Sequence, residues 1–325
     1  MANQKHISVV LQLFLVALIL NNANGKDLKL GFYQKTCPKA EAIVKTTTAN
    51  FISRAPSLAP ALLRMHFHDC FVRGCDGSVL INSTTNNKAE KDGPPNLSLR
   101  GFQVIDAVKT AVEAACPGVV SCADILALVA RDSITQIKGP FWPVPLGRRD
   151  GRVSLFADSL TLPAPFMNFT QLKANFASRG LNEKDLVVLS GGHTVGVSHC
   201  STITTRLYNF TGKGDTDPSL DSNYATQLKS KCKPADTTTF IEMDPGSSKI
   251  FDGDYYTLVS KRRGLFQSDA ALLDDKKTRD YIKLQATSHG STFIKDFQDS
   301  MVKMGKIGVL TGTNGEIRKK CTIIN

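Results

Sequence analysis

One short run, Leu62-Leu63-Arg64-Met65-His66-Phe67-His68-Asp69-Cys70-Phe71-Val72-Arg73-Gly74-Cys75-Asp76-Gly77-Ser78, carries guanidinium, imidazole, carboxylate and thiol groups side by side. Read as a helix in its first half, it sets Arg64 and His68 four residues apart on one face, with Phe67 beside them. A fixed cation, an acid/base and an aromatic wall then share one surface. The second half is turn-rich, with Gly74 and Gly77 for tight turns and Asp69, Asp76 and Ser78 as oxygen donors. Three chemistries compete for these residues. A lone histidine at a helix end is ordinarily a satisfied core residue, but that leaves the rest of the cluster unexplained. Zinc held by His66, His68, Cys70 and Cys75 needs both histidines to ligate, yet at i and i+2 they point to different sides of a helix. HExxH and CxxC spacings are also absent. The third chemistry is an acid/base pair over a cofactor, beside a loop of the hard oxygens that calcium prefers.

A second cluster, Ser190-Gly191-Gly192-His193-Thr194-Val195-Gly196, stands where the apolar stretch 186–189 runs out. A glycine-flanked histidine is commonly a helix cap. The two glycines also let backbone approach something flat, and a neutral imidazole there could ligate haem iron. The hydrolase elbow GxSxG is missing, as are the Rossmann and P-loop glycine patterns. Further on, Asp244-Pro245-Gly246-Ser247-Ser248-Lys249-Ile250-Phe251-Asp252 makes another oxygen-rich loop, which by itself reads equally as an Asx-turn. Asp269, after Gly264-Leu265-Phe266-Gln267-Ser268, is a carboxylate in a semi-apolar setting.

Helices must position these groups. Apolar spacing predicts helices over 40–54, from near Pro60 through His68, and over 102–115, 121–136, 170–179 and 183–190. Further helices are expected near 255–262, 269–274, 278–288 and 291–303. Residues 82–99 read as a long loop, 141–165 as loop with at most short strands, and 209–254 as polar and irregular. Sustained strand alternation is missing, so the fold class is mainly α with minor short β.

The chain has 325 residues, 42% of them hydrophobic, enough for a large core. Residues 1–25 read as a secretory signal peptide: Lys5 and His6, an apolar run over 9–20, then small residues to Gly25. The run is too short for a membrane anchor, which needs about 20 apolar residues. Residues 26–325 then form a single domain. Export makes the eight cysteines a disulfide framework of 105 conceivable pairings. Sequons at Asn82, Asn168 and Asn209 fit a secreted glycoprotein. The net charge of +11 is spread along the chain, which argues for attraction to acidic polysaccharide rather than nucleic acid.

Together these residues resemble the secreted plant (class III) haem peroxidases. The resemblance runs from Phe32-Tyr33 and Thr36-Cys37-Pro38 to Ile317-Arg318 and Cys321. It includes Arg64-Met65-His66-Phe67-His68-Asp69-Cys70, Ser190-Gly191-Gly192-His193-Thr194, Pro145-Leu146-Gly147-Arg148-Arg149-Asp150, Met304-Gly305 and the single Trp142. It implies a two-lobed fold with haem b in the crevice between a distal and a proximal helical lobe. His193 would be the proximal iron ligand, with Asp269 accepting its Nδ1 proton. His68 would be the distal acid/base, kept basic by Asn96, with Glu90 continuing that network. Arg64 would stabilise charge during O–O cleavage, with Phe67 lining the haem. The implied reaction is peroxide-dependent one-electron oxidation of phenolic donors through a ferryl haem intermediate, serving cell-wall cross-linking, lignification or peroxide removal.

The resemblance also implies two calcium ions. One would be held by Asp69, Val72, Gly74, Asp76 and Ser78, the other by Thr194, Asp244, Ser247, Ile250 and Asp252, where Ser247 replaces a common threonine. It pairs Cys37 with Cys116, Cys70 with Cys75, Cys122 with Cys321 and Cys200 with Cys232, and sets Pro163 at a haem edge where aromatic donors dock. Asn96-Leu97-Ser98 also matches the sequon, but an Asn96 facing the pocket would carry no glycan. Departures are Arg73 in the calcium loop, often a neutral residue, and a mature terminus at Lys26 or Asp27 rather than glutamine. Only four residues follow Cys321, which suggests extracellular or cell-wall rather than vacuolar delivery; the protein is expected to be a monomer. Two other readings remain: a haem protein with oxidase or catalase-like turnover, and a secreted disulfide-rich module binding calcium or carbohydrate.

Overall fold

The computed structural model describes residues 28–325, so the expected leader lies outside the described residues. Four helices build the N-terminal half: α1 (Ala40–Ile52), α2 (Leu58–Val72), α3 (Phe102–Ala115) and α4 (Cys122–Gln136). The axle is α4, buried from Cys122 through Ile134, and the other three pack on it. Its N-terminus is tied down by side chains. Ser121 Oγ accepts from Asp124 N at 3.1 Å. Asp150 accepts from Cys122 N and Ala123 N, and from Arg318 N across the fold. A carboxylate on free helix N–H groups satisfies donors the helix cannot.

That accounts for the run 145–150 as architecture. Arg148 is fully buried; it donates to Asp124 Oδ1 at 2.8 Å and to Gly305 O at 3.0 Å from Nε. Asp124 also accepts from Tyr33 Oη and Gly147 N. The sequence motifs at 33, 148 and 305 thus meet around one buried ion pair.

The C-terminal half follows as α5 (Phe169–Ala177), α6 (Glu183–Ser190), a 3-10 turn over Gly191–Thr194, β1 (Val197–His199) and α7 (Thr204–Tyr208). Then come α8 (Ser222–Lys231), β2 (Phe240–Glu242), α9 (Asp254–Ser260), α10 (Gln267–Ala271), α11 (Lys276–Thr287) and α12 (Phe293–Met304). β1 and β2 pair antiparallel with Ser198 opposite Ile241. One core runs through both halves, from Val44 and Leu62 to Phe293 and Met301. A smaller one around Leu207, Tyr224, Leu228, Ile241 and Met243 supports the 200–265 region. Four disulfides close: Cys37–Cys116, Cys70–Cys75, Cys122–Cys321 and Cys200–Cys232. Cys122–Cys321 spans 199 residues and most constrains the unfolded chain. No helix among the described residues is long and apolar enough to cross a membrane.

The structure is mainly helical with few short strands, as expected, and corrects three local readings. Helix α2 runs to Val72, so Asp69 belongs to the helix and not to the loop. Residues 209–254 are not wholly irregular: α8 forms there, capped by Asp221 accepting from Tyr224 N. Its buried face is only Tyr224, Ala225 and Leu228, too brief a pattern among polar residues to read from spacing. Residues 141–165 hold a 3-10 helix, Phe156–Thr161, and isolated bridges from Arg149 to Leu310 and Asp150 to Glu316 rather than strands.

Candidate active site

Helix α2 presents Arg64 and His68. His68 is buried, and its Nδ1 meets Asn96 Oδ1 at 2.5 Å. An amide oxygen only accepts, so Nδ1 carries the proton and the Nε2 lone pair is free. Burial, then the neighbouring Arg64 charge, push His68 well below the usual imidazole range, only partly offset by Asn96. His68 is therefore a neutral base. Asn96 Nδ2 donates in turn to the Glu90 backbone oxygen at 2.8 Å. Glu90 thus enters this network through its carbonyl, while its carboxylate points elsewhere.

Arg64 is fixed by the same loop, donating to Ser98 Oγ at 3.0 Å and Pro95 O at 2.8 Å. Ser98 and Pro95 were not legible as functional, because a serine and a carbonyl in a loop carry no signature. The dense surroundings lower the Arg64 pKa to about 10, with Arg100 adding to the effect. Its side chain still faces solvent and stays cationic at neutral pH. Phe67 stands edge-on to His68 with centroids 5.4 Å apart.

The second imidazole sits at the 3-10 turn after α6. His193 Nδ1 lies 2.8 Å from Asp269 Oδ1, leaving Nε2 for another partner. Burial alone would raise Asp269, but His193 and the Phe266 N–H and Tyr255 hydroxyl outweigh it and hold the carboxyl below its usual range. Tyr255 donates to the same Oδ1 at 3.0 Å, a contact with no local signal in the sequence. Tyr255 and Phe266 stand edge-on to the His193 ring at 6.0 and 5.2 Å.

The two clusters border one another. A Cβ on Gly192 would lie 3.8 Å from Leu63, and one on Gly196 3.1 Å from Pro60, so the His193 turn runs against the N-terminal half of α2. Yet the His193 side chain is 37% exposed and Arg64 is open to solvent, as on the walls of a crevice rather than in packed core. A partly exposed imidazole with its Nδ1 fixed by a carboxylate suits the axial ligand of haem iron.

Beside α2, Asp69 and Asp76 are buried together with Ser78. Asp69 accepts from Gly77 N at 3.0 Å, and Asp76 from Ser78 N at 3.0 Å. Ser78 Oγ and both Glu90 carboxylate oxygens are buried with no hydrogen-bond partner. Burial, then mutual charge, raise Asp69 well above the usual carboxylate range, and burial raises Asp76. Burial and then Asp76 push Glu90 up to about 8. Crowded carboxylates with an orphaned hydroxyl are a donor set that fits a hard cation. Gly74 serves this loop: φ is +97° and a Cβ would strike Gly308 backbone at 2.5 Å. Arg73 points away, paired with Asp158 at 2.7 Å.

The other loop repeats the pattern. Thr194 Oγ1 donates to Asp252 Oδ1 at 3.0 Å and Asp244 Oδ2 at 3.3 Å, and Ser247 Oγ is buried without a partner. Burial and then Asp252 push Asp244 up to about 6. Ile250 lies in the same turn, its amide bonded to Ser247 O. These donors too fit calcium.

His66, Cys70 and Cys75 also gather, but both sulfurs are joined in a disulfide and cannot act as thiolates. Burial, then Arg148, push His66 down to about 3, so it is a neutral core residue. Pro163 is half-buried just after the Phe156–Thr161 turn. Asn82, Asn168 and Asn209 are exposed, whereas Asn96 is buried.

A family model described as Peroxidase matches residues 44–288. The chain is 62% identical to Peroxidase 27 of Arabidopsis thaliana over 325 residues, all of both chains. It is 60% identical to Peroxidase 56 of the same plant over 303 residues, 93% of this chain and 92% of the other. It is 55% identical to Peroxidase 1 of Oryza sativa subsp. japonica over 322 residues, 98% of both chains.

Proposed function

The chain belongs to the plant class III peroxidases and is a haem peroxidase; from that premise we propose that His68 is its proton shuttle, Arg64 its charge stabiliser and His193 its iron ligand. The haem, read as haem b, would supply when bound the redox chemistry with hydrogen peroxide and the oxidising equivalents passed to the donor. His193 would hold the iron through Nε2. Asp269 fixes the imidazole through Nδ1 and makes it electron-rich. On the other wall, His68 Nε2 takes the proton from one peroxide oxygen and returns it to the departing one. It can do so because Nδ1 is already engaged by Asn96. Arg64, held by Ser98 and Pro95, sets a fixed positive charge where negative charge develops.

The single observation carrying this reading is the pair of imidazoles on adjoining walls, each with Nδ1 fixed by an oxygen acceptor. Phenolic donors would dock near Pro163. Calcium in the two oxygen loops would brace α2 through Asp69 and the His193 turn through Thr194. We further propose secretion after loss of residues 1–25, one domain over 26–325, glycans at Asn82, Asn168 and Asn209, a monomeric state, and charge-driven association with acidic cell-wall polysaccharide. The test is stopped-flow reaction of the haem-loaded protein with hydrogen peroxide. His68→Leu should slow it by a factor on the order of a hundred to ten thousand while the haem absorption band persists. A change below tenfold refutes the role of His68.

A further inference from the structure

From His193 a file of tyrosine rings leads away from the crevice. The Tyr255 ring centroid is 6.0 Å from that of His193, Tyr256 is 5.1 Å from Tyr255, and Tyr281 is 5.6 Å from Tyr256, each pair edge-to-face. Tyr255 and Tyr256 are buried on α9, and Tyr281 is half-buried on α11. Three of the chain's six tyrosines stand in this file. Edge-to-face packing needs only the rings, and phenylalanine would serve it equally. The hydroxyls are the unexplained part, because both ends of the file meet a carboxylate: Tyr255 donates to Asp269 Oδ1 at 3.0 Å, and Tyr281 to Asp296 Oδ2 at 2.9 Å. Tyr256 gives its hydroxyl to backbone oxygens, Val187 O at 3.1 Å and Val188 O at 3.4 Å.

A phenol loses an electron readily only when its proton has somewhere to go, and Asp296 provides that place. Its burial would raise the carboxyl, but Lys184, Tyr281 and Thr292 outweigh it and hold Asp296 below the usual range, so it is ionised and ready to accept. Lys184 pairs with it at 2.6 Å and is itself exposed, which puts this end of the file at the protein surface.

We propose that Tyr255, Tyr256 and Tyr281 conduct electrons from the surface to the active site, making Tyr281 a second oxidation site for phenols on polymers too large to enter the crevice. The inference rests on the peroxidase reading, which supplies the oxidising equivalent. Tyr281 gives one electron through Tyr256 and Tyr255, and its O–H proton moves to Asp296 Oδ2. A donor phenol at the surface then gives one electron to the Tyr281 radical and releases its own proton to water. The proton on Asp296 returns to the Tyr281 oxygen, restoring the phenol and leaving one donor radical.

The test uses haem-loaded protein treated with hydrogen peroxide and no donor, a nitroso spin trap, and peptide mapping. Turnover is then measured with a free phenol and with the same phenol grafted on a soluble dextran. In the unmodified protein the adduct should map to Tyr281. Tyr281→Phe keeps the ring, and should abolish that adduct and slow the grafted phenol at least tenfold while the free phenol is unaffected. Asp296→Asn keeps the phenol but removes the proton acceptor, and should give the same loss. An unmodified protein whose adduct maps elsewhere, or a Tyr281→Phe protein that oxidises the grafted phenol undiminished, overturns the proposal. Failure to oxidise even the free phenol would instead strike the peroxidase reading.

Discussion

Asn96 offers the sharpest test of the distal geometry, because it touches His68 without touching peroxide. Its Oδ1 holds the proton on His68 Nδ1 at 2.5 Å, and this alone keeps the Nε2 lone pair facing the crevice. In Asn96→Ala the buried Nδ1–H has no acceptor. An unmet buried donor costs about 1–3 kcal/mol. At about 1.4 kcal/mol per factor of ten, the tautomer that acts as base loses a preference of about 5- to 150-fold. The second-order rate with hydrogen peroxide at neutral pH should therefore fall on the order of ten- to a hundredfold, read by stopped-flow absorbance. Asn96→Asp separates hydrogen bonding from charge. It keeps an acceptor but adds a negative charge beside His68, which raises an imidazole pKa by about 1–3 units. In the starting protein His68 lies well below its ordinary 6.5, so the rate should hold until the pH is well below that value. In Asn96→Asp the acid limb should move upward. An Asn96→Ala rate within about twofold of the starting protein, or an unmoved limb in Asn96→Asp, refutes the reasoning.

Calcium removal should destabilise the protein more as pH rises. Asp69, Asp76 and Glu90 have raised pKa values without a cation, so the ion-free fold binds protons that the unfolded chain releases. Their contribution is present in acid and lost as pH rises, and for Glu90 the window runs from 4.5 to about 8. The gap in Tm between calcium-loaded and chelated protein should widen across that window; a constant gap would show that these carboxylates do not hold the ion. Asp150→Ala strips three backbone N–H groups of their acceptor and the buried Arg318 guanidinium of its counter-ion, and should cost about 3–5 kcal/mol by denaturant unfolding. A loss below about 1 kcal/mol would mean that water replaces the carboxylate. Arg64→Leu should slow the peroxide reaction by a factor on the order of a hundred to a thousand with secondary structure unchanged by circular dichroism, and a mere threefold effect would remove Arg64 from the charge-stabilising role.

Much of this was written locally in the chain. A helix leaves its mark every three or four residues, so α3, α4 and α6 could be read from apolar spacing, and the four-residue spacing of Arg64 and His68 puts them on one face. The types of oxygen donor over 69–78 and in the loop 244–252 were equally plain. What the sequence could not contain was the docking of one segment on another. His68 finds Asn96 across 28 positions, and His193 finds Asp269 across 76. Without the resemblance to a family, nothing local names those partners. Docking decided that Glu90 meets Asn96 through its carbonyl, that Ser98 and Pro95 anchor Arg64, and that Tyr255 shares the Asp269 oxygen with His193. It also decided that Arg148 in the run 145–150 is a buried brace, joined to Asp124 and Gly305. The physical reason is range: side-chain periodicity reports only the neighbours along one element, whereas hydrogen bonds and buried charges are satisfied by whatever the packed helices bring within about 3 Å.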